Sequence, residues 1–523
     1  MSSRSISNDS KKIDTSSDKD QDITTGEVIT SFISPLNNTK DIEKNADEAL
    51  TLALANQDRH IELDPKATKR LIRKVDFCIL PMIGILYACQ FMDKITHSYA
   101  AVMGLKIDLG MKGDMYAWTA TIFWLGYLIF EFPASYMLQK FPLSKMTSIF
   151  IFIWGVILCL HAVPNYAGFL TLRFLLGVFE SSISPAMVIL TSQWYPKELH
   201  FQRTCFWFAC NGIGIMMGGA IAYGCAINAE SYPFEAWKLL FIVTGLMTIV
   251  LSFLFALHIP DTPAKAWFLS SDEKLLIVEI IRNNQQGFGN KHFKKYQFIE
   301  TMKDPLTWMY FWFALISNIP NGSLTNFGSI LLSEDFGYDA KSSLLMNMPC
   351  GAVEFVGCIS ISMLAYKIKR TFVSMFAMVL ALLASCLLAF PENNNNARLA
   401  GYYLEYIFPL SMMCALSLIA SNTAGHTKKI TTTAIYFIGL CTGNLIGPQT
   451  FTGAPYTGGK IVIVACNVIT LIIIIMTYFY YKYLNKKKQE NLAKMSEEEL
   501  KAFENTEFAD LTDRENPNFK YSL

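Results

Sequence analysis

The chain has 523 residues, of which 52% are hydrophobic and only 17% are charged, with a mean hydropathy of +0.30. A soluble domain carries about 25% charged residues, so this composition indicates a membrane protein. The net charge of +1 provides no bulk field that would attract nucleic acid. The twelve cysteines show neither CxxC nor Cys/His metal spacing, so we expect no metal, cofactor or disulfide framework.

The first 75 residues are mostly polar and rich in Ser, Asp and Lys, as in SISNDSKKIDTSSDKDQD. Such a segment cannot bury enough apolar surface to fold alone. The sequence therefore predicts a disordered N-terminal tail over residues 1–75.

Twelve stretches approach the roughly 20 apolar residues that a membrane-spanning helix needs. They are residues 76–99, 116–138, 147–163, 167–190, 203–226, 237–258, 306–331, 342–364, 371–390, 400–420, 430–452 and 461–482. The seventh, eighth and eleventh are the weakest, because Gly, Pro or charged residues interrupt them. The pattern predicts an all-α membrane protein with a six-helix bundle (76–258), a linker (259–305), a second six-helix bundle (306–482) and a tail (483–523).

Basic residues concentrate in alternate short loops, which fixes orientation because cytosolic loops carry an excess of Lys and Arg. Examples are Lys140 and Lys145 between spans two and three, and Lys197 and Arg203 between spans four and five. Both termini and the linker are therefore expected to be cytosolic.

The linker contains its own helix signal. Ser270 followed by Glu273 fits a capping box at the start of DEKLLIVEIIRNN, in which each side chain bonds the other's backbone N–H. The dense apolar residues behind it predict a short amphipathic helix that lies on the membrane surface.

The first span holds an adjacent acid and base, Asp93 and Lys94, in the run FMDKITHSYA, followed by Thr96 and His97. A charge at bilayer depth costs about 3 kcal/mol on insertion scales, so such residues are rare and usually mark a substrate, ion or proton path. The pair indicates a transporter rather than a membrane anchor.

The fourth span reads RFLLGVFESSISPA, with Arg173 and Glu180 seven residues apart and thus on one helix face. Gly177 between them permits the close approach of a neighbouring helix. Two interpretations stay open here. Arg173 lies near the membrane interface and Glu180 is a structural acid, or Glu180 exchanges a proton or pairs with the cation of the first span.

Other polar residues lie in the second, seventh and eighth spans. Glu131 is expected to be structural more than proton-coupling, and Tyr127, one turn before it, can reach a cavity and hydrogen-bond a substrate. In the seventh span, Asn318 lies close to Pro320, and a Pro-broken helix exposes backbone groups that can line a binding site. Glu354 in the eighth span is a weaker candidate of the same kind.

Several segments together resemble one family. They are the Asp-Lys step of the first span, GYLIFEFPASYMLQKF, RFLLGVFE with the following QWYPKELHFQR, IGLCTGNLIGPQTF, and the tail DLTDRENPNFKY. Over residues 68–523 the chain resembles the fungal allantoate-permease type of the anion:cation symporter branch of the major facilitator superfamily. Within it, the group of thiamine-pathway transporters, proposed carboxylic-acid carriers, is the most similar.

The resemblance implies proton symport of a small organic anion, such as a carboxylate or vitamin, by alternating access between two bundles. It implies that Lys94 attracts the anion and that Asp93 and Glu180 titrate. From the pairing of their charges we expect protonation of Asp93 to free Lys94 for the anion. The family commonly has Asp-Arg-x-Asn where this chain has Asp93-Lys94-Ile95-Thr96. Lysine offers a point charge instead of a bidentate fork, so the substrate geometry is expected to differ.

The resulting hypothesis is a monomeric permease with both termini cytosolic and the plasma membrane as its site, the endoplasmic reticulum being the alternative. Its predicted substrate contacts are Lys94, His97, Tyr127 and Asn318, its proton-coupling acids Asp93 and Glu180, and its structural or gating residues Glu131, Arg173 and Gly177. Two alternatives remain, a nutrient sensor that transports little and an organellar carrier of the same fold. An enzyme is excluded because no nucleophile elbow, zinc motif or phosphate loop occurs.

Overall fold

The computed structural model describes residues 65–163, 165–283, 294–364, 368–391, 393–495 and 511–523. Within these ranges the regular secondary structure is helical, without strands. Residues 1–64, which form most of the predicted disordered tail, lie outside the described residues.

The N-terminal half is built from long helices joined by short connections. They are α1 (Pro65–Cys78), α2 (Leu80–Ala100), α3 (Met115–Lys140), α4 (Leu143–Leu160), α5 (Tyr166–Glu180), α6 (Ile183–Trp194), α7 (Lys197–Ile227) and α8 (Ala236–His258). Residues 65–75 had been predicted as part of the disordered tail, yet they are helical in α1. The reason is that Leu71, Ile72 and Val75 are buried in the core of this half.

The linker and the C-terminal half are also built from helices. They contain α9 (Ser271–Asn283), α10 (Lys295–Lys303), α11 (Pro305–Glu334), α12 (Ala340–Leu364), α13 (Arg370–Ala389), α14 (Asn395–Glu405), α15 (Pro409–Asn422), α16 (His426–Ile446) and α17 (Thr457–Leu492).

Eleven helical segments of the described residues are long and apolar enough to cross a membrane. The predicted seventh span is the one that falls outside this set, although it lies in the 30-residue helix α11. Its polar residues, including Ser317, Asn318 and Asn326, are buried against neighbouring helices. With α11, the helices account for the twelve predicted spans.

The two halves repeat the same helix pairing. In the N-terminal half α2 packs on α7, α3 on α5, and α4 on α8. In the C-terminal half α11 packs on α16, α12 on α14 and α15, and α13 on α17. The fourth and tenth spans are each divided, into α5 and α6 and into α14 and α15, and the first piece ends at Glu180 in one half and at Glu405 in the other.

The halves meet along α2–α11, α3–α16 and α7–α12. On the last of these contacts, a Cβ atom added to Gly212 would lie 2.1 Å from the Gly351 carbonyl oxygen. Only glycine allows the two backbones to approach so closely.

Hydrogen bonds also join the halves near the end that carries Glu334. Lys106 Nζ lies 2.8 Å from Glu334 Oε1, and Tyr116 Oη donates to the Asn326 carbonyl oxygen at 2.7 Å. In this conformation the two halves are therefore closed together at that end of the bundle.

The linker helix α9 begins with the predicted capping box. The Ser270 N–H donates to Glu273 Oε2 at 2.9 Å and the Glu273 N–H to Ser270 Oγ at 3.3 Å. Its apolar residues Leu276, Ile277 and Ile280 are buried in the core of the N-terminal half. The apolar face thus packs on α1 and α6, whereas the sequence analysis placed it on the membrane surface.

The C-terminal segment 511–523 packs against the C-terminal half. There the ammonium of Lys428 lies 2.8 Å from Glu300 Oε1, 2.9 Å from Asp304 Oδ2 and 2.8 Å from Asp513 Oδ1. Arg514 Nη2 lies 2.8 Å from Asp304 Oδ1. These ion pairs, which we call the tail cluster, fix the end of the chain to α10, α11 and α16.

Candidate functional site

The structure places Lys94 of α2 against Glu180 of α5. Lys94 Nζ lies 2.9 Å from Glu180 Oε1, and the side chains are 13% and 0% exposed respectively. The ammonium also lies 5.7 Å from the ring centre of Trp124 and 5.8 Å from that of Tyr127. Of the two interpretations of Glu180, the geometry agrees with pairing to the cation of the first span.

Asp93 points away from Lys94, because successive residues of an α-helix are about 100° apart around its axis. Its carboxylate contacts α8, where Thr248 Oγ1 lies 3.1 Å from Asp93 Oδ2. The same Thr248 hydroxyl lies 3.0 Å from the Thr244 carbonyl oxygen. Asp93 Oδ1 is buried, and the side chain of Trp154 also interacts with this carboxylate. The expectation that Asp93 pairs with Lys94 is therefore wrong.

Arg173 lies in the interior of the N-terminal half. It is 2% exposed, its Nε donates to the Thr119 carbonyl oxygen at 3.2 Å, and its guanidinium lies 5.2 Å from the Phe123 ring centre. Gly177, one helical turn further along α5, faces α3. A Cβ atom there would lie 2.0 Å from the Phe123 carbonyl oxygen, so α3 and α5 are in backbone contact.

His97 connects the two halves. Its Nε2 lies 2.7 Å from Thr119 Oγ1 of α3, its Nδ1 lies 3.3 Å from Asn326 Oδ1 of α11, and its ring stacks on Tyr116 at 4.5 Å. The side chain is fully buried. His97 therefore occupies the contact between halves, one turn beyond Lys94.

Tyr127 and Glu131 lie one helical turn apart on α3, and the Tyr127 ring lies near the ammonium of Lys94. Tyr127 Oη lies 3.2 Å from Ser184 Oγ, which also accepts a hydrogen bond from Tyr87 Oη at 3.1 Å. Cys441 Sγ of α16 donates to Glu131 Oε2 at 3.5 Å. Glu131 thus faces the opposite half, and Tyr127 contacts the surroundings of Lys94.

Asn318 lies on the contact between α11 and α16. Its Nδ2 donates to the Ala314 carbonyl oxygen at 2.7 Å, and its Oδ1 accepts from Asn444 Nδ2 at 3.1 Å. Asn321 Nδ2 in turn donates to Asn444 Oδ1 at 2.9 Å. The structure therefore places Asn318 in a row of amides and not beside Lys94.

A cavity of about 40 Å³ lies between the halves. Phe91 and Asn211 contribute to its wall from the N-terminal half, and Asn321 and Glu354 from the C-terminal half. The sequence analysis did not single out Asn211, Asn326 or Thr248. An isolated Asn in an apolar run such as FWFACNGIGIMM is a usable signal, whereas a Thr in a span is too common to be one.

Taken together, the twelve-span helical architecture and the buried ion pair between α2 and α5 define a multi-pass membrane transporter. The sequence profile described as Major Facilitator Superfamily matches residues 83–448. The chain belongs to the major facilitator superfamily, and it is a transporter and not an enzyme.

Two similar proteins from Saccharomyces cerevisiae have names that describe a transport function. The chain is 45% identical to "Allantoate permease" over 522 residues, which cover 97% of this chain and 95% of the relative. It is 33% identical to "Thiamine pathway transporter THI73", covering 91% of this chain and 90% of the relative. The allantoate permease is the more similar of these two relatives, and the thiamine-pathway transporter is a further homologue.

The fold also matches a solved structure. It is a bacterial homologue of the human lysosomal transporter Spinster in an inward-facing, occupied conformation, with a TM-score of 0.54 and 13% identity. The match covers 76% of this chain and 96% of that chain, and at this identity it bears on the fold alone.

Proposed function

We propose that the protein is a secondary active transporter that moves a small organic anion, such as a carboxylate, together with a proton by alternating access. The observation that carries the proposal is the ion pair between Lys94 and Glu180. It is buried at Glu180 and partly open at Lys94, which is 13% exposed.

The first step concerns charge. An isolated charge inside the membrane is costly, so Lys94 needs one anionic partner at every stage of the cycle. Glu180 is that partner in the described conformation. A substrate carboxylate can replace it only when Glu180 takes up a proton, since two carboxylates around one ammonium would leave a net negative charge. Binding of the anion and binding of the proton are thereby coupled.

The second step concerns Asp93. Thr248 has one hydroxyl proton and lies within hydrogen-bond distance of both Asp93 Oδ2 and the Thr244 carbonyl oxygen. If Asp93 is protonated at Oδ2, it donates to the Thr248 oxygen, and the Thr248 hydroxyl donates to the Thr244 carbonyl oxygen, so that each of these two contacts has one donor and one acceptor. We assign Asp93 a proton in this conformation and treat it as a second titrating acid.

The remaining site residues act around this centre. Tyr127 contacts the anion beside Lys94, and Glu131 and Arg173 hold the helices of the site and the opposite half in position. His97 lies on a contact between the halves and meets the substrate when that contact opens. Asn318 lies between α11 and α16 within the C-terminal half and is proposed to meet the substrate from that half.

Several features of the surroundings belong to the same proposal. The excess of basic residues in alternate loops supports cytosolic termini and linker, and the protein is proposed to act as a monomer in the plasma membrane. The bundles are proposed to span residues 76–258 and 306–482.

Because a relative at 45% identity is named allantoate permease, allantoate, a carboxylate with two ureido groups, is the first substrate to examine.

Uptake of labelled allantoate into cells that overexpress the protein tests the proposal, with nicotinate, pantothenate, biotin and short carboxylates as competitors. We expect at least one anion to be taken up faster at acidic external pH and to be displaced by unlabelled anion. If none of these anions is transported or competes, the proposed function is wrong.

A further inference from the structure

A buried acid on the contact between α7 and α12 lies outside the residues to which the proposed function assigns a role. Glu354 of α12 is 1% exposed and Asn211 of α7 is 3% exposed, and the Asn211 side chain forms a hydrogen bond with the Glu354 carboxyl group. The two residues belong to opposite halves and lie close to Gly212 and Gly351, where the backbones of α7 and α12 touch. The hydrogen bond therefore joins the halves and breaks when they separate at this point.

Glu354 has no cation beside it, in contrast to Glu180. Within the described ranges, the helices packed against α12, namely α7, α11, α14 and α15, place no charged side chain next to its carboxyl group. The titratable groups that face it are the thiols of Cys350 and Cys358 on α12 itself and the phenol of Tyr406, which follows α14. Thiols and phenols are largely neutral at physiological pH. An ionised Glu354 would therefore be an isolated anion inside the membrane-spanning part of the protein.

The protonated form of Glu354 fits this environment. Burial of an isolated charge is costly, and it is especially so within a membrane. Glu354 Oε2 and Asn211 Oδ1 are buried acceptors to which no other group of the described residues donates. A proton on the carboxyl group supplies a donor, because a carboxylic acid and a primary amide each have a donor and an acceptor and can pair through both. The closed contact therefore favours a neutral Glu354.

A cavity of about 40 Å³ lies next to this pair. Glu354 and Asn211 line it together with Asn321 and with apolar side chains that include Phe208 and Met412. Such a volume holds water and little else. When the halves part along α7 and α12, the cavity opens to solvent on one side of the membrane. The carboxylate then becomes hydrated, and the cost of ionising Glu354 falls.

We propose that Glu354 is a positioning residue that lets the halves close along α7 and α12 only after it has bound a proton. Alternating access takes the loaded and the empty transporter through the same closed contact, so Glu354 binds a proton for both passages and returns it. Glu354 thus adds nothing to the number of protons moved per anion, which distinguishes it from Glu180. Its effect on transport rests on the proposed function, whereas its effect on the contact between the halves does not.

The sign of the resulting pH dependence follows from the proton count. The closed contact holds one proton more at Glu354 than the open one. A rise in pH therefore favours the open form, by up to about tenfold per pH unit where the hydrated carboxyl group is ionised. Closure, and with it the exchange of internal for external anion, should slow as the pH rises. Glu354→Gln introduces a side chain that is neutral at every pH and can still bond Asn211, so it should remove this part of the pH dependence.

The transport test measures the exchange of labelled for unlabelled allantoate in proteoliposomes that have the same pH inside and outside. Glu180→Gln serves as the background, because it removes the proton at the ion pair with Lys94. We expect exchange by Glu180→Gln to fall at least about tenfold between pH 6 and pH 8. Addition of Glu354→Gln should make that ratio at least about tenfold smaller. Addition of Glu405→Gln, at a buried acid outside the cavity, is the matched control and should leave the ratio unchanged.

A second measurement needs no substrate. Hydrogen–deuterium exchange of the α7 peptide 205–216 reports the opening of its contact with α12. This peptide has the same sequence in the unaltered protein and in Glu354→Gln, so a comparison at one pH cancels the intrinsic pH dependence of amide exchange. We expect equal exchange at pH 6 and at least about threefold faster exchange of the unaltered protein at pH 8. Size-exclusion chromatography in detergent checks that both proteins are folded.

The outcomes separate the two proposals. If the pH ratio is undiminished when Glu354→Gln is added, or if both proteins show equal amide exchange at pH 8, the inference is overturned while anion transport stays intact. A smaller number of protons moved per anion by Glu354→Gln alone also overturns it, because Glu354 is then a coupling acid. If no form of the protein exchanges allantoate or any other anion, the proposed function fails, and the amide exchange still decides the role of Glu354.

Discussion

The fourth and tenth spans take equivalent places in the two halves, and each is divided directly after a buried glutamate. Glu180 meets the ammonium of Lys94 at 2.9 Å, whereas Glu405 accepts a hydrogen bond from the amide of Asn467 at 2.8 Å. Protonation of Glu180 therefore removes the charge that holds a cation, whereas a protonated Glu405 can still accept the hydrogen bond of the neutral amide.

The comparison shows that the role of a buried acid depends on the side chain it contacts and not on its position in the fold. Asn467 is almost fully buried within the C-terminal half, and Lys94 is partly open. The tail cluster is a third case, since its buried Lys428 is surrounded by three carboxylates and is not exposed. The fully buried ammonium of Lys428 serves stability, and in the proposed function the partly exposed ammonium of Lys94 is available to a substrate.

The largest expected effect comes from removing the cation of the pair between Lys94 and Glu180. Lys94→Met should lower the initial rate of anion uptake by roughly 100-fold or more, because truncating one partner of a buried charge pair costs about 2–5 kcal/mol. Lys94→Arg keeps the charge and is the matched control. Uptake by Lys94→Met within tenfold of the unaltered protein would remove Lys94 from the substrate site.

The next effect concerns stability and the tail cluster. Lys428→Met leaves Glu300, Asp304 and Asp513 close together without their shared cation, and it should lower the free energy of unfolding by about 3–5 kcal/mol. Thermal unfolding of the purified protein in detergent measures this. Lys486→Met, at a largely exposed side chain, should leave the melting temperature unchanged, and equal effects of both would refute a structural role for the cluster.

A smaller effect is expected where α5 meets α3. Gly177→Ala places a Cβ atom 2.0 Å from the Phe123 carbonyl oxygen, so the two helices must separate, at a cost of about 1–3 kcal/mol. The same substitution at Gly224, where no atom lies within 4 Å, should be neutral or slightly stabilising. A melting temperature for Gly177→Ala equal to that of Gly224→Ala would contradict the close packing.

The smallest effect should come from Glu405→Gln, which retains a side chain able to bond Asn467. We expect uptake within about twofold of the unaltered protein and an unchanged dependence on external pH. A large loss of pH dependence in this variant would break the comparison of the two glutamates, because it would give the C-terminal acid a coupling role.

The helical spans could be predicted from the sequence, because the length of an apolar run and the charge of a loop are properties of local stretches of the chain. Composition marked the seventh span as one of the weakest, and the structure shows why, since α11 buries its polar residues among other helices. The pairing of Lys94 with Glu180 was one of two open interpretations. Burial of an unpaired charge is costly, so a lysine and a glutamate in the same bundle are expected to form an ion pair.

Other parts of the site depended on contacts that no local pattern encodes. The partner of Asp93 is a threonine 155 positions away, and helical geometry turned Asp93 from the neighbour it was expected to bind. His97 and Asn318 were chosen as polar residues in spans, but only the packed halves reveal their contacts. The tail sequence was recognised as distinctive, yet its ion pairs with Lys428 and Asp304 require the folded C-terminal half.

The central claim is that Glu180 carries the coupled proton. The direct test uses proteoliposomes with an entrapped pH indicator, in which addition of a transported anion should acidify the lumen of vesicles containing the unaltered protein. Glu180→Gln should still exchange labelled for unlabelled anion but move no protons, and Glu405→Gln should behave like the unaltered protein. Proton movement that accompanies the anion undiminished in Glu180→Gln would contradict the account.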